Sequence, residues 1–118
     1  MGKHNFKELK AWQNALSIVP MVYKLVLKFP EDEKFALTSQ IKRAVVSISS
    51  NIAEGSGRGT NKDFAHFLDF ALGSSYELES ELLVAVELNY ITLTNCDEIF
   101  NNLIEIQRLI TGFQKTLR

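Results

Sequence analysis

The chain has 118 residues, 46% of them hydrophobic, with two prolines and six glycines, which leaves room for one domain over 1–118 and favours a few long helices over many short strands. The single cysteine, Cys96, excludes an internal disulfide and a cysteine-based metal centre and fits a reducing compartment. A net charge of −1 and a pI of about 6.1 lie outside the strongly basic range usual for nucleic-acid-binding domains.

Helix one is expected to begin at Asn5, with Glu8 three residues on in a capping-box-like start, and to cover about 6–28. Leu9, Trp12, Leu16, Val19, Tyr23 and Val26 make one apolar stripe, and Ile18, Met21 and Leu25 lie off it. Pro20 removes a backbone donor inside this pattern, so a kink near residues 16–20 is expected rather than a break. Pro30 disfavours helix at Phe29 and ends the element.

Helix two is expected over about 31–56, with Glu31, Asp32 and Glu33 in its first turn, where the macrodipole favours negative charge. Ile41, Ala44, Val45, Ile48 and Ile52 share one face. Small residues, Ala44, Ser47, Ser50 and Ala53, stand between the large ones and let a second helix come close. Gly55, Gly57 and Gly59 then let the chain reverse.

Helix three is expected over about 60–89, with Thr60 as N-cap and Asp63 at its third position. Its stripe is Phe64, Phe67, Leu68, Ala71, Ser74, Ser75, Leu78, Leu82 and Ala85. Gly73 sits mid-helix at a cost of ~1 kcal/mol against alanine, which points to close approach of another backbone. Helix four, about 95–117, is expected to be capped by Thr94 or Asn95, with Asp97 or Glu98 in the first turn. Ile99, Leu103, Ile106, Ile110, Phe113 and Leu117 form its seam.

Four helices of ~22–30 residues joined by short loops predict an all-α, antiparallel up-down-up-down four-helix bundle. Folding helices two and three about the glycine turn places Arg43 opposite Ser74 and within reach of Glu77. The same register puts Ser47 near Phe70, Ser50 near Phe67 and Asn51 near His66. An Arg43–Glu77 ion pair is therefore expected. Ser47, Asn51, Glu54, Gly55, Gly73, Ser74 and Glu77 read as packing residues.

Little in the chain suggests chemistry. His4, His66 and Cys96 lie on different elements, and no Glu-x-x-His pair is present, so no metal is expected. Mid-helix Ser47, Ser49 and Ser50 have no base nearby. Gly55-Ser56-Gly57-Arg58-Gly59 lacks the Gly-Lys-Ser/Thr ending of a phosphate loop and follows a helix instead of a strand. A weaker anion role remains at the start of helix three, flanked by Arg58 and Lys62, beside the plain reading of a glycine turn with solvated charges. Glu54, four residues before Arg58, is placed to pair with it. Seven residues separate Arg58 from His66, which does not fit an Arg-x4–6-His ribonuclease. No catalytic residue, cofactor or small-molecule substrate is expected.

Charge and apolar surplus point to partners instead. Residues 1–62 carry ten Lys/Arg against five Asp/Glu, and residues 63–118 carry three against nine. That pattern suits complementary surfaces within a bundle or a basic face for a polyanion. Ile18, Met21, Leu25, Val46, Phe70, Leu72 and Leu109 exceed the inner stripes, which predicts a homo-oligomer or, failing that, a monomer with wider stripes.

The chain resembles the small bacterial four-helix-bundle family named for 23S rRNA intervening-sequence proteins. The resemblance rests on Leu9, Trp12, Phe29-Pro30, Glu33 and Leu37, and most specifically on a central run. That run is Gln40-Ile41-x-Arg43-Ala44-x-x-Ser47-Ile48-x-x-Asn51-Ile52-Ala53-Glu54-Gly55. Phe64, Phe67-Leu68, Ala71-x-Gly73-Ser74 and Glu77-Leu78 continue it over nearly the whole chain. The family is similar in turn to the accessory variability protein of diversity-generating retroelements, a pentameric barrel that works with a reverse transcriptase and nucleic acid. The resemblance implies a left-handed bundle assembled as a homopentamer around a pore. It also implies RNA or DNA as partner, with Lys42, Arg43, Arg58 and Lys62 as the matching basic positions. The expected function is thus a non-enzymatic homo-oligomeric bundle that binds RNA, DNA or a nucleoprotein. The alternative is a protein-interaction or assembly scaffold with no nucleic-acid role.

Overall fold

The computed structural model describes residues 4–118. A 3-10 turn, Phe6–Glu8, leads into α1 (Lys10–Ser17) and α2 (Val19–Leu25), followed by 3-10 turns at Val26–Lys28 and Glu31–Glu33. Three long helices complete the fold: α3 (Leu37–Ser56), α4 (Asn61–Glu87) and α5 (Leu93–Leu117). No strand occurs among the described residues. The molecule measures 48 × 25 × 19 Å. α1 packs on α3 and α5, and α4 packs on α3 and α5, so the helices form a four-cornered bundle around one apolar core.

Helix one is bent where Pro20 predicts. Ile18 separates α1 from α2 but keeps right-handed helical angles (φ −84°, ψ −10°), and its carbonyl still accepts from Val22 N–H at 3.0 Å. Its inner face differs from the expected stripe. Ala11, Ala15, Ile18, Val22 and Leu25 are buried, whereas Leu16 and Tyr23 are 47% and 38% exposed. The two alanines occupy the inner face, and their size lets α1 approach α3 and α5 closely, so the larger Leu16 and Tyr23 turn outward. Ile18 and Leu25, counted as surplus from periodicity, belong to the core.

Helix two starts six residues later than expected. The acidic run forms its own turn, and Ala36 (φ −122°, ψ −106°) separates it from α3. Glu33 still serves the helix start through its side chain: Oε1 accepts from Leu37 N–H at 3.3 Å, and Oε2 accepts from Tyr90 O–H at 2.7 Å. One carboxylate thus satisfies an orphan donor of α3 and holds the α4–α5 connection against it. Ile41, Ala44, Val45, Ile48 and Ile52 are all buried, as the spacing predicts.

α4 is capped by Thr60, whose Oγ1 accepts from Asp63 N–H at 3.1 Å. Its inner face is Phe64, Leu68, Ala71, Ser75, Leu78, Leu82 and Ala85; Phe67 and Ser74 are only half-buried. It ends on Asn89 in the left-handed region (φ 64°). Asn89 N–H donates to Val86 O at 2.9 Å, and Tyr90 N–H donates to Ala85 O at 3.0 Å, which closes a Schellman motif. α5 begins earlier than expected. Thr92 is the cap, and Asn95 returns the bond to Thr92 N–H at 3.0 Å, so the reciprocal pair outcompetes a lone cap at Thr94 or Asn95. Asp97 and Glu98 therefore fall beyond the first turn.

The α5 seam holds Ile99, Leu103, Ile106, Ile110 and Leu117, but buried Gln114 replaces half-buried Phe113. Gln114 Nε2 donates to Ala65 O at 3.0 Å and to Asp69 Oδ1 at 2.7 Å, which satisfies its buried amide. Large side chains such as Phe64, Ile48, Leu78 and Ile106 are almost fully enclosed, and each contributes about 1.5–3 kcal/mol of burial.

The α3/α4 hairpin is antiparallel but shifted by one helical turn from the sequence expectation. Ser47 lies against Ser74, not Phe70, with 2.8 Å between the hydroxyl oxygens. Asn51 accordingly lines the same hollow as Phe70 instead of meeting His66. Gly55 causes the shift: with no side chain there, Phe64 and Phe67 seat directly on the last turn of α3.

Candidate interaction surface

A groove of about 880 Å³ runs along the outer face of α2 and α3. Tyr23 comes from α2, Lys34 and Phe35 from the turn between helices, and Ser39, Lys42, Arg43, Val46, Ser47, Ser50 and Asn51 from α3. Its lining holds three cations and no carboxylate. Lys42 Nζ lies 5.0 Å from the centre of the Tyr23 ring, and Lys34 Nζ lies 5.5 Å from that of Phe35. Phe35 is 89% exposed, a large ring left uncovered by the described residues. Periodicity missed Lys34, Phe35 and Tyr23 because it assigned the first two to a helix and the third to the core. The Ala11/Ala15 spacing is the signal that would have turned Tyr23 outward.

On its α4 side the groove meets a polar seam. Asn51 Nδ2 donates to Ser47 O at 2.9 Å and to Ser47 Oγ at 3.0 Å, which orients the hydroxyl toward Ser74. Gly73 sits beside this seam, and among the described residues no atom beyond its own stretch of helix backbone lies within 4 Å of where its side chain would begin. The expected close approach of another backbone is absent among the described residues.

The Arg43–Glu77 ion pair is likewise not made. The ion pairs among the described residues are Glu31–Lys34, Glu54–Arg58, Glu105–Arg108 and Asp69–Arg118. The one-turn shift leaves Arg43 between Glu77 and Glu81, lining a hollow with both. Glu81 Oε1 is buried without a hydrogen-bond partner. Burial raises the Glu81 pKa above 4.5, the Glu77 charge adds to this, and Arg43 opposes it.

The four expected basic positions are not gathered in one place. Lys42 and Arg43 flank the groove, while Arg58 and Lys62 stand at the hairpin tip, roughly 20 Å away along α3. Arg58 contacts Glu54 at 3.9 Å and lies 4.9 Å from the Phe67 ring centre. Lys62 shares a hollow with Asp63, Asp69 and Arg118. His66 stacks edge-on against Phe70 at 4.7 Å, and His4 packs against Phe64 and Phe113. Among the described residues, no three His, Cys, Asp or Glu side chains are placed to hold a metal ion.

A second exposed face lies on α4 and α5, on the opposite side of the bundle. Gln107 Nε2 of α5 donates to Ser75 Oγ at 3.2 Å and to Glu79 Oε1 at 3.4 Å across the two helices. Beside that bridge, Tyr76, Leu83 and Ile104 are 56%, 44% and 55% exposed. Charges of both signs border it: Glu79 stands at the Gln107 bridge, and Arg108, paired with Glu105 at 3.4 Å, lies four residues from Ile104.

These features define a helical bundle with a cation-lined groove on α2 and α3 and an exposed apolar patch on α4 and α5. The chain belongs to the 23S rRNA-intervening sequence protein family, whose sequence pattern matches residues 7–112. It is similar to a crystal structure of a protein of unknown function from the S23 ribosomal protein family of Bacteroides thetaiotaomicron. The TM-score is 0.78 at 28% identity, over 89% of this chain and 98% of that one. No curated protein matches the sequence. No helix among the described residues is long and apolar enough to cross a membrane.

Proposed function

We propose that the protein is a non-enzymatic bundle that works as a homo-oligomer. The observation that carries this reading is the apolar surface left uncovered on and beside the groove: Phe35 at 89%, Tyr23 and Val46 at 38% and 40% in its lining, and Phe70 at 48% in the adjoining hollow. A stable monomer rarely leaves so much apolar surface together. Five copies is the number that the family resemblance suggests. The unpaired thiol of buried Cys96 supports a cytoplasmic setting. Light scattering on the purified chain tests the reading: a mass several times 13.4 kDa at micromolar concentration supports it, and a strict 13.4 kDa species removes it.

RNA or DNA binding is the second reading, favoured by Lys34, Lys42 and Arg43 interleaved with the Tyr23 and Phe35 rings. Cations for the phosphates and exposed rings for the bases are what a single strand requires. Anisotropy of labelled RNA and DNA across a salt series tests it, because released counterions make such binding fall steeply with salt. Lys42→Ala/Arg43→Ala should weaken it more than Arg58→Ala/Lys62→Ala, since only the first pair borders the exposed Tyr23 and Phe35 rings. Absence of any binding at low salt leaves the scaffold without a nucleic-acid role.

A further inference from the structure

We infer that the end of the bundle beside the hairpin tip holds a binding site for a small uncharged aromatic molecule of benzene size, in a cavity between all four corners. The site does not depend on the oligomeric state.

The described residues leave a cavity of about 130 Å³ at this end. Each corner supplies one buried side chain to it: Ala11 from α1, Ile52 from α3, Leu68 from α4 and Ile110 from α5. Three of the four are large, and the fourth is a methyl group. The corner made by α1 opens on small residues, since Ala15 follows one turn on and Ile18 is its first large side chain to be fully enclosed. Protein interiors are close-packed and leave few voids larger than a water molecule. One layer of this bundle therefore lacks the volume of a side chain.

Water is a poor occupant of that space, because a buried water needs about three polar partners. Beside the four buried side chains, the lining holds Leu9, Leu109 and Phe113, and its one charged member, Lys10, is exposed. The backbone groups of Ile52, Leu68 and Ile110 lie inside long helices, where the helical ladder satisfies them. Dry cavities of about 150 Å³ lined by Leu, Ile and Phe take up benzene, so this space suits a single six-membered ring. Leu9, Leu109 and Phe113 are half-buried and form the mouth. The Phe113 ring is held there edge-on against Phe64 at 5.3 Å and His4 at 5.4 Å. A ring fixed in this way favours an aromatic guest over an aliphatic one, through edge-to-face or offset contact. Facing helices of a bundle are a usual place for such a site.

Titration of methyl-labelled protein with benzene, followed by NMR, tests the inference. The methyl resonances of Ile52, Leu68, Leu109 and Ile110 should shift saturably, while those of Ile91 and Ile99, toward the other end of α5, stay in place. The melting temperature should rise with benzene concentration, since only the folded chain has the cavity. Ala11→Leu fills the gap from α1. It should abolish the shifts and keep or raise the melting temperature without benzene. Leu109→Phe, which closes the mouth from α5, should also abolish the shifts and serves as the test if Ala11→Leu does not fold. Circular dichroism melting establishes that each variant is folded. No saturable shift in the wild type, a response linear up to the solubility limit of benzene, or wild-type shifts in a folded variant would overturn the inference. Cavity methyls that shift on dilution but not with benzene would assign the space to a neighbouring copy and overturn it as well.

Discussion

Phe67 rests on Gly55: a β-carbon at Gly55 would lie 2.7 Å from Phe67 Cβ and 2.8 Å from Phe64 Cδ1. Neither neighbour can yield easily, since one atom is fixed close to its own backbone and the other belongs to a buried ring that packs on Phe113 at 5.3 Å. This contact sets the α3/α4 register and with it every pairing along the hairpin. Gly55→Ala should therefore destabilise the fold by about 1–3 kcal/mol through overpacking, despite alanine's better helix propensity. Urea unfolding measures it, and an unchanged midpoint would show that the hairpin relaxes around the methyl group.

Gly73 should behave in the opposite way. It is exposed and helical, and a β-carbon there meets nothing within 4 Å. Gly73→Ala should stabilise the isolated chain by about 0.5–1 kcal/mol by restricting the unfolded backbone. Gly73→Leu should also leave the bundle folded. A lower oligomer mass with an intact melting transition would place a neighbouring copy at this wall.

Glu81 gives stability a pH dependence. Its folded pKa is raised, first by burial and then by Glu77, with Arg43 opposing. A raised carboxyl contributes stability that is fully present below its ordinary value and lost as pH rises through the folded one. At neutral pH the charged, partnerless Oε1 is thus a liability. Glu81→Gln should raise the melting temperature at about pH 7 and lose that advantage near about pH 4. Arg43→Ala should push the Glu81 pKa higher still, which NMR titration of the carboxyl would detect.

Tyr90 marks the other end of the pH range. Its pKa is raised, first by the hydrogen bond to Glu33, then by burial and by the charges of Glu33 and Asp32. Its stabilising contribution is fully present below the ordinary tyrosine value of about 10 and is lost as pH rises through the folded value. Tyr90→Phe should lower the melting temperature at neutral pH and flatten this alkaline loss. Thermal melts of both proteins across the alkaline range compare the two slopes, and parallel curves would mean that the 2.7 Å bond contributes nothing.

The sequence by itself determined the all-helical class, the family resemblance, the Pro20 bend, the Thr60 cap and the inner faces of α3 and much of α5. These depend on side chains within about four residues of one another, where helical periodicity and local hydrogen bonds act without reference to the rest of the fold. Only the tertiary structure decided which way α1 and α2 face, because two alanines win the inner position through shape and not hydrophobicity. It alone decided the one-turn shift of the hairpin, which leaves Arg43 between two carboxylates without closing a pair with Glu77. It also exchanged the parts of two glycines: Gly55 admits two rings, while among the described residues nothing beyond its own helix backbone approaches Gly73. Rotation and register arise where surfaces far apart in sequence must fit, and that fit depends on the volume of every residue facing the gap.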